Sequence, residues 1–256
     1  MSAPRFIVMS GIPASGKTAR LAAAIENNVD WCERVCRVNG LSPQRTATAW
    51  TSAVRTPKFY PDAISLSGET SADEILVAID LSEGCSVKDS FATLNLHTYG
   101  FSILFEGTWV EYSATNLGDG NVDPLPAHGG VKSEPIWETV TTPADLAEWV
   151  AAGRQSNDSD ALHPNLLNDP TIDFIWVRSS VQVIGGAVVN RSKNAVGLSN
   201  FFSRSTDAMN IWRSCVTHVC AHNSGMTVVG YVTRPFVFLA GHAHFSTLGP
   251  LRIWTK

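Results

Sequence analysis

No apolar run in this 256-residue chain is long enough to span a bilayer. Basic residues are not in excess either. Lys and Arg number 19 against 23 Asp and Glu, a net charge of −4. That balance excludes a broad electrostatic footprint for nucleic acid or an anionic membrane. Cysteine is sparse: five residues, an odd number, with no CxxC pair. Neither a disulfide framework nor a zinc knuckle is expected, and reduced thiols in a cytoplasmic protein are. Charged residues make up only 16% against 44% apolar, which excludes a disordered chain. Eight tryptophans and eleven phenylalanines supply core area. No basic tract accompanies the tryptophans, so they read as core or interface residues rather than a base-stacking platform.

Element signals run the whole length. Arg5 to Ser10 reads as a short strand, and TARLAAAIENN after it as a helix. A further helix is expected from Asp30 to Val38, stopping at Asn39-Gly40. Three prolines and little periodicity make the stretch to Pro61 mostly loop. A strand is expected at 64–67 and a capped helix start at SADE, 71–74. GFSILFEGTWVEY has strong β character. Residues 113–135 are rich in Gly, Pro, Asn, Asp and Ser, as a linker is. Beyond it, TTPADLAEWVAAG is a helix capped by Thr142. IDFIWVRS, VQVIGGAVVNRS and AVGLSNFFS are three successive strands, and AMNIWRSCVTHVCAH is a helix. TVVGYV is a buried strand, 237–242 a short helix, and LGPLRIWT a last strand. Phe-Ser-Ile-Leu before Trp109 and Phe-Ser-Thr-Leu before Trp254 echo one another, as two related halves each closing on such a strand would.

The front of the chain carries GIPASGKT, 11–18, in the GxxxxGK[ST] pattern. Gly11 and Gly16 let backbone N–H groups point at phosphate oxygens, with Ser15 between them in the loop. Lys17 adds a point charge and Thr18 a hydroxyl for Mg²⁺, as Mg-ATP binding requires. FIVMSGIPASGKT resembles the opening of small P-loop kinases. Such an enzyme needs an acidic residue ending a buried strand. Ile75 to Asp80 could supply one, although SADEILVAIDLSEG reads better as a helix. No Arg-rich lid segment follows.

The remainder, 29–256, resembles bacterial proteins classed with the GNAT-type N-acetyltransferases. The resemblance is carried by SVKDSFATLNLHTYGFSILFEGTWV, WETVTTPADLAEWVAA, GGAVVNRSKNAVGLSNFFS, TVVGYV and LGPLRIWT. It implies an α/β (α+β) fold with a mixed, mainly antiparallel sheet flanked by helices, built as two degenerate GNAT-like halves. The expected units are 1–28, the P-loop-like segment; 29–115, the first half; 116–135, a linker; and 136–256, the GNAT-like domain. In that fold the fourth and fifth strands, here AVGLSNFFS and TVVGYV, splay apart to admit acetyl-CoA.

By the same resemblance, Ser199, Asn200, Phe201 and Phe202 face the pantetheine arm, with Arg204 and Ser205 in the turn that meets the diphosphate. That turn reads SRSTDAM: Arg204 is present, the two glycines of the family pattern are not, and Ser205 or Thr206 is placed to cap the next helix. Tyr231 is the candidate acid and Glu106 the candidate base, with Glu111 on the same strand as an alternative. The implied reaction moves an acetyl group to an amine, small molecule or peptide. A non-catalytic module on the same scaffold remains open. Cys215, His218 and His222 share a helical face but read as packing residues, and no metal is expected.

Overall fold

The computed structural model describes residues 16–112, 135–153, 161–180, 182–233 and 245–256. The expected strand at 5–10, Gly11 to Ser15, nearly all of the 113–135 linker and the short helix at 237–242 lie outside these. The two helices expected early in the chain are one, α1 (Gly16–Val38), which runs unbroken across positions 28 and 29. No proline or glycine interrupts the run, so backbone bonding continues through it. It stops at Asn39-Gly40, where Leu41 N–H returns to Cys36 O at 3.0 Å.

Among the described residues eleven strands follow and form one sheet. They are β1 (Gln44–Arg45), β2 (Ala49–Thr51), β3 (Ala63–Ser65), β4 (Ser86–Asp89), β5 (Ser102–Tyr112) and β6 (Trp137–Thr139), then β7 (Ile172–Arg178), β8 (Val183–Arg191), β9 (Val196–Ser203), β10 (Val228–Thr233) and β11 (Ser246–Thr255). The order is β1-β2-β3-β4-β11-β5-β10-β9-β8-β7-β6, antiparallel except at β3·β4 and β9·β10. The fold is therefore mixed and mainly antiparallel. The stretch to Pro61, expected as loop, holds β1 and β2; both are short enough to leave no periodic signal.

The sheet carries one local pattern twice. An antiparallel strand leads to a parallel pair that is hydrogen-bonded over only two residues, with a helix between the two parallel strands. In the first, α2 (Ala72–Leu76) separates β3 from β4; in the second, α4 (Ala208–His222) separates β9 from β10. The echoing strands β5 and β11 lie side by side at the centre, Ser102 opposite Thr255 and Glu111 opposite Ser246. Each has crossed to the other pattern, β11 against β4 and β5 against β10. Residues before and after the linker thus share one sheet. Asp80 follows α2 in a turn, its carboxylate accepting Ser82 N–H at 2.9 Å, and ends no strand.

Alternation along β7 assigns the faces. Ile172, Phe174 and Trp176 pack with α1 and α3 (Pro143–Gly153), whereas Ile175 and Val177 pack with α4. The cap on α3 is Thr142, whose Oγ1 accepts Asp145 N–H at 3.1 Å. Helix α1 lies across the middle of the sheet and is pinned there by two amides. Asn27 Nδ2 donates to the carbonyls of Asn190 (3.0 Å) and Ala195 (3.2 Å), and Asn190 Nδ2 donates to Asn27 O and Oδ1, both at 3.0 Å. Asn27 is 2% exposed and Asn190 1%. The clamp sits beside Gly197, where a Cβ would overlap both amide oxygens. We expect Gly197→Ala to lose on the order of 3 kcal/mol by overpacking and disrupting the clamp, read as a lowered urea midpoint with an unchanged slope.

Candidate active site

Strands β9 and β10 have eight and six residues but share only the pairs Val196–Val228 and Gly197–Val229. Past those pairs they part. The cause lies in β9. Its register against β8 slips between Gly186–Phe202 and Val188–Ser199, a bulge in which Asn200 takes a left-handed φ of 49°. A bulge bends and twists its strand, here away from β10. The gap opens into a cavity of about 390 Å³.

One wall is Leu198, Ser199, Asn200 and Phe201 of β9 with Ala208 and Trp212 of α4. The opposite wall is Gly230–Thr233 of β10 with Trp109 of β5 behind it. The far end is closed by α1, which presents Ala24, Asn27, Asn28 and Trp31 at helical spacing, together with Cys32. Lys88 of β4 and the loop Phe59–Pro61 complete it. At the loop, Phe59 holds a φ of 73° and is 75% exposed.

The cavity is mostly apolar, with a few polar atoms. Ser199 Oγ and Trp212 Nε1 are buried and have no hydrogen-bond partner among the described residues. The Tyr231 ring is held edge-on by Trp109 at 5.6 Å, and Lys88 Nζ lies 4.5 Å from its centre. Burial pushes the Cys32 thiol and the Tyr60 hydroxyl well above their usual ranges, so both stay protonated. Tyr60 of the loop and Asn200 of the bulge both line the cavity.

The residues singled out from sequence divide. Tyr231, Ser199, Asn200 and Phe201 all line the cavity. Phe202 turns to the other side of β9 and packs on Trp149 at 5.2 Å. Arg204 is exposed beyond the strand, its N–H donating to Ile184 O at 2.8 Å. Ser205 does not cap α4. Its Oγ accepts Asp207 N–H, and Asp207 is the cap, accepting Asn210 N–H at 3.1 Å. A carboxylate satisfies a free helical N–H and complements the helix dipole better than a hydroxyl does. Glu106 lies away from the cavity and pairs with Arg252 at 3.2 Å. Glu111 is buried and pairs with Arg20 at 2.8 Å.

At the front of α1, Gly16, Lys17 and Thr18 form the exposed first turn, and nothing in the described residues shows a P-loop of the kinase type. His218 and His222 rings are 4.1 Å apart, burial and the neighbouring His222 lower the first of them, and the described residues hold no group of three metal ligands. No helix among them is long and apolar enough to cross a membrane.

Lys88, Asn27, Asn28 and Trp31 were not anticipated. Their signals were present: an Asn pair on the apolar stripe of a helix, and a lone lysine in a strand otherwise destined for burial.

The fold is shared with solved structures. A GCN5-related N-acetyltransferase from Kribbella flavida is similar over 95% of this chain and 96% of that one, at 9% identity and a TM-score of 0.57. A functionally unknown conserved protein from Staphylococcus epidermidis ATCC 12228 is similar over 84% and 94%, at 10% identity and 0.58. A GCN5-related N-acetyltransferase-like protein from Streptococcus suis 89/1591 is similar over 94% and 99%, at 10% identity and 0.51. No protein-family model matches the chain, and the curated proteins include no match. At these identities the likeness is one of fold, and the fold is GNAT-like.

The bulge gives a direct test. Asn200→Gly and Asn200→Val both remove the carboxamide, but only valine opposes the positive φ. We expect the valine variant to be less stable than the glycine variant by about 1–3 kcal/mol in chemical denaturation.

Proposed function

We propose that this protein is an N-acyltransferase that moves an acetyl group from acetyl-CoA to an amine, with the thioester arm lying between β9 and β10. The observation that carries the reading is the two-residue ladder opening into a ligand-sized cavity. The unpartnered Ser199 Oγ and Trp212 Nε1 fit an arm built of amides, since each would gain the hydrogen bond it lacks. Acetyl-CoA supplies an acyl carbon already activated toward a nitrogen nucleophile. In the net change a C–N bond forms, a C–S bond breaks, the amine gives up a proton and the thiol sulfur gains one. Tyr231, fixed by Trp109 and Lys88, holds at its hydroxyl the proton the sulfur takes.

The diphosphate end fits less well. The turn before α4 has Arg204 but no glycines, and Asp207 brings negative charge to the helix N-terminus. That feature favours a second reading, a binding module that keeps the cavity and has lost turnover. Product formation from acetyl-CoA with a panel of amines separates the two readings.

Under the first, Tyr231→Phe lowers kcat by about 100-fold, as loss of a general acid does, while Glu106→Gln leaves it within experimental error. Asp207→Ser keeps a cap and removes the charge. It should tighten acetyl-CoA about fivefold by calorimetry, a helix-dipole-sized effect.

A further inference from the structure

Lys88 is the only charged side chain among the described residues lining the cavity. It is 3% exposed. Of its three N–H donors, one goes to Asn28 Oδ1 at 2.7 Å, and the ammonium also lies over the Tyr231 ring. No carboxylate among the described residues answers it. Asp89, next in the chain, spends its oxygens on the N–H groups of Phe91, Thr93 and Leu94. Asp62 is taken by Arg55 and Glu111 by Arg20. The Cys32 thiol beside it stays protonated, and so does Tyr60.

Among the described residues the other buried charges are met, Asp62 and Glu111 by arginines and Asp89 by three backbone N–H groups; this one is matched only by an amide oxygen and a ring face. An unanswered cation in a dry wall is costly, unless a bound molecule brings the missing charge. The amide of Asn28 stands beside it with N–H groups to offer. We infer that the acceptor is an amine carrying a carboxylate, an amino acid with an apolar side chain. Its carboxylate pairs with Lys88 and Asn28, and its side chain lies among Trp31, Tyr60 and Trp109. This deepens the proposed acyl transfer and rests on it for the word acceptor. The same charge repels amines that bear a second ammonium, so diamines are disfavoured.

The test is calorimetric titration of the full chain, without acetyl-CoA, with L-leucine, L-methionine and L-phenylalanine, each against its own carboxamide. At least one acid should bind about tenfold tighter than its carboxamide, the size of one charge-assisted pair. That preference should vanish in Lys88→Met and persist in Lys88→Arg. Equal binding of acid and carboxamide, a preference that survives Lys88→Met, or no binding of any of the three acids in the millimolar range overturns the inference. The comparison in the unaltered chain decides the matter even if Lys88→Met fails to fold. Acetyl transfer is then assayed separately. A bound acid that is never acetylated removes the transferase reading and leaves the carboxylate site, whereas acetylation of amines without any acid preference does the reverse.

Discussion

Two buried carboxamides hold this molecule in its working shape. Asn27 and Asn190 exchange hydrogen bonds between the middle of α1 and the end of β8, beside Gly197 at the last paired position of β9 and β10. A polar residue on the inner face of a helix is a liability unless its donors and acceptors are met. Here the same contacts that meet them set α1 across the open end of the strand gap. Loss of the helix would leave the cavity without its far wall, and loss of the glycine would leave the amides without room.

The repeated strand pattern shows why, among the described residues, the cavity opens at one of its two copies and not at the other. Beyond β3 and β4 the chain is stitched shut. Ser90 N–H donates to Ser65 Oγ at 2.8 Å, Thr93 Oγ1 to Gly68 O, and the Trp109 indole to Ser90 O. Asp89 gathers the N–H groups of the turn that follows. Beyond β9 and β10 the bulge at Asn200 drives the strands apart instead. The SVKDSFATL segment therefore has two consequences at once: it closes the first gap and delivers Lys88 to the second. The exchange of β5 and β11 binds the copies into one sheet.

Most long elements were legible along the chain, because the short apolar runs of β7, β8 and β9 and the 3.6-residue stripe of α4 are strong local signals. The unbroken length of α1 was not, since a resemblance ending near position 28 suggested a boundary where the helix simply continues. Tyr231 and Ser199 to Phe201 reached the cavity because strand order and splay follow from the fold they resemble. Phe202 did not, for the reason that one step along a strand, and one bulge, decides the face. Asp207 rather than Ser205 took the cap, a choice between neighbours that only the turn geometry makes.

What the sequence determined by itself was therefore local: a helix-forming front, the apolar strands, and a chain rich enough in aromatic residues to bury a large sheet. Tertiary structure decided what those pieces meant together. Lys88, Asn28 and Tyr231 are separated by 60 residues and more along the chain, and nothing in their spacing joins them. They meet because β4 is held in the sheet by β11, β10 by β5, and α1 is clamped over both. Long-range pairing registers of this kind depend on the balance of the whole sheet, which no short window of residues contains.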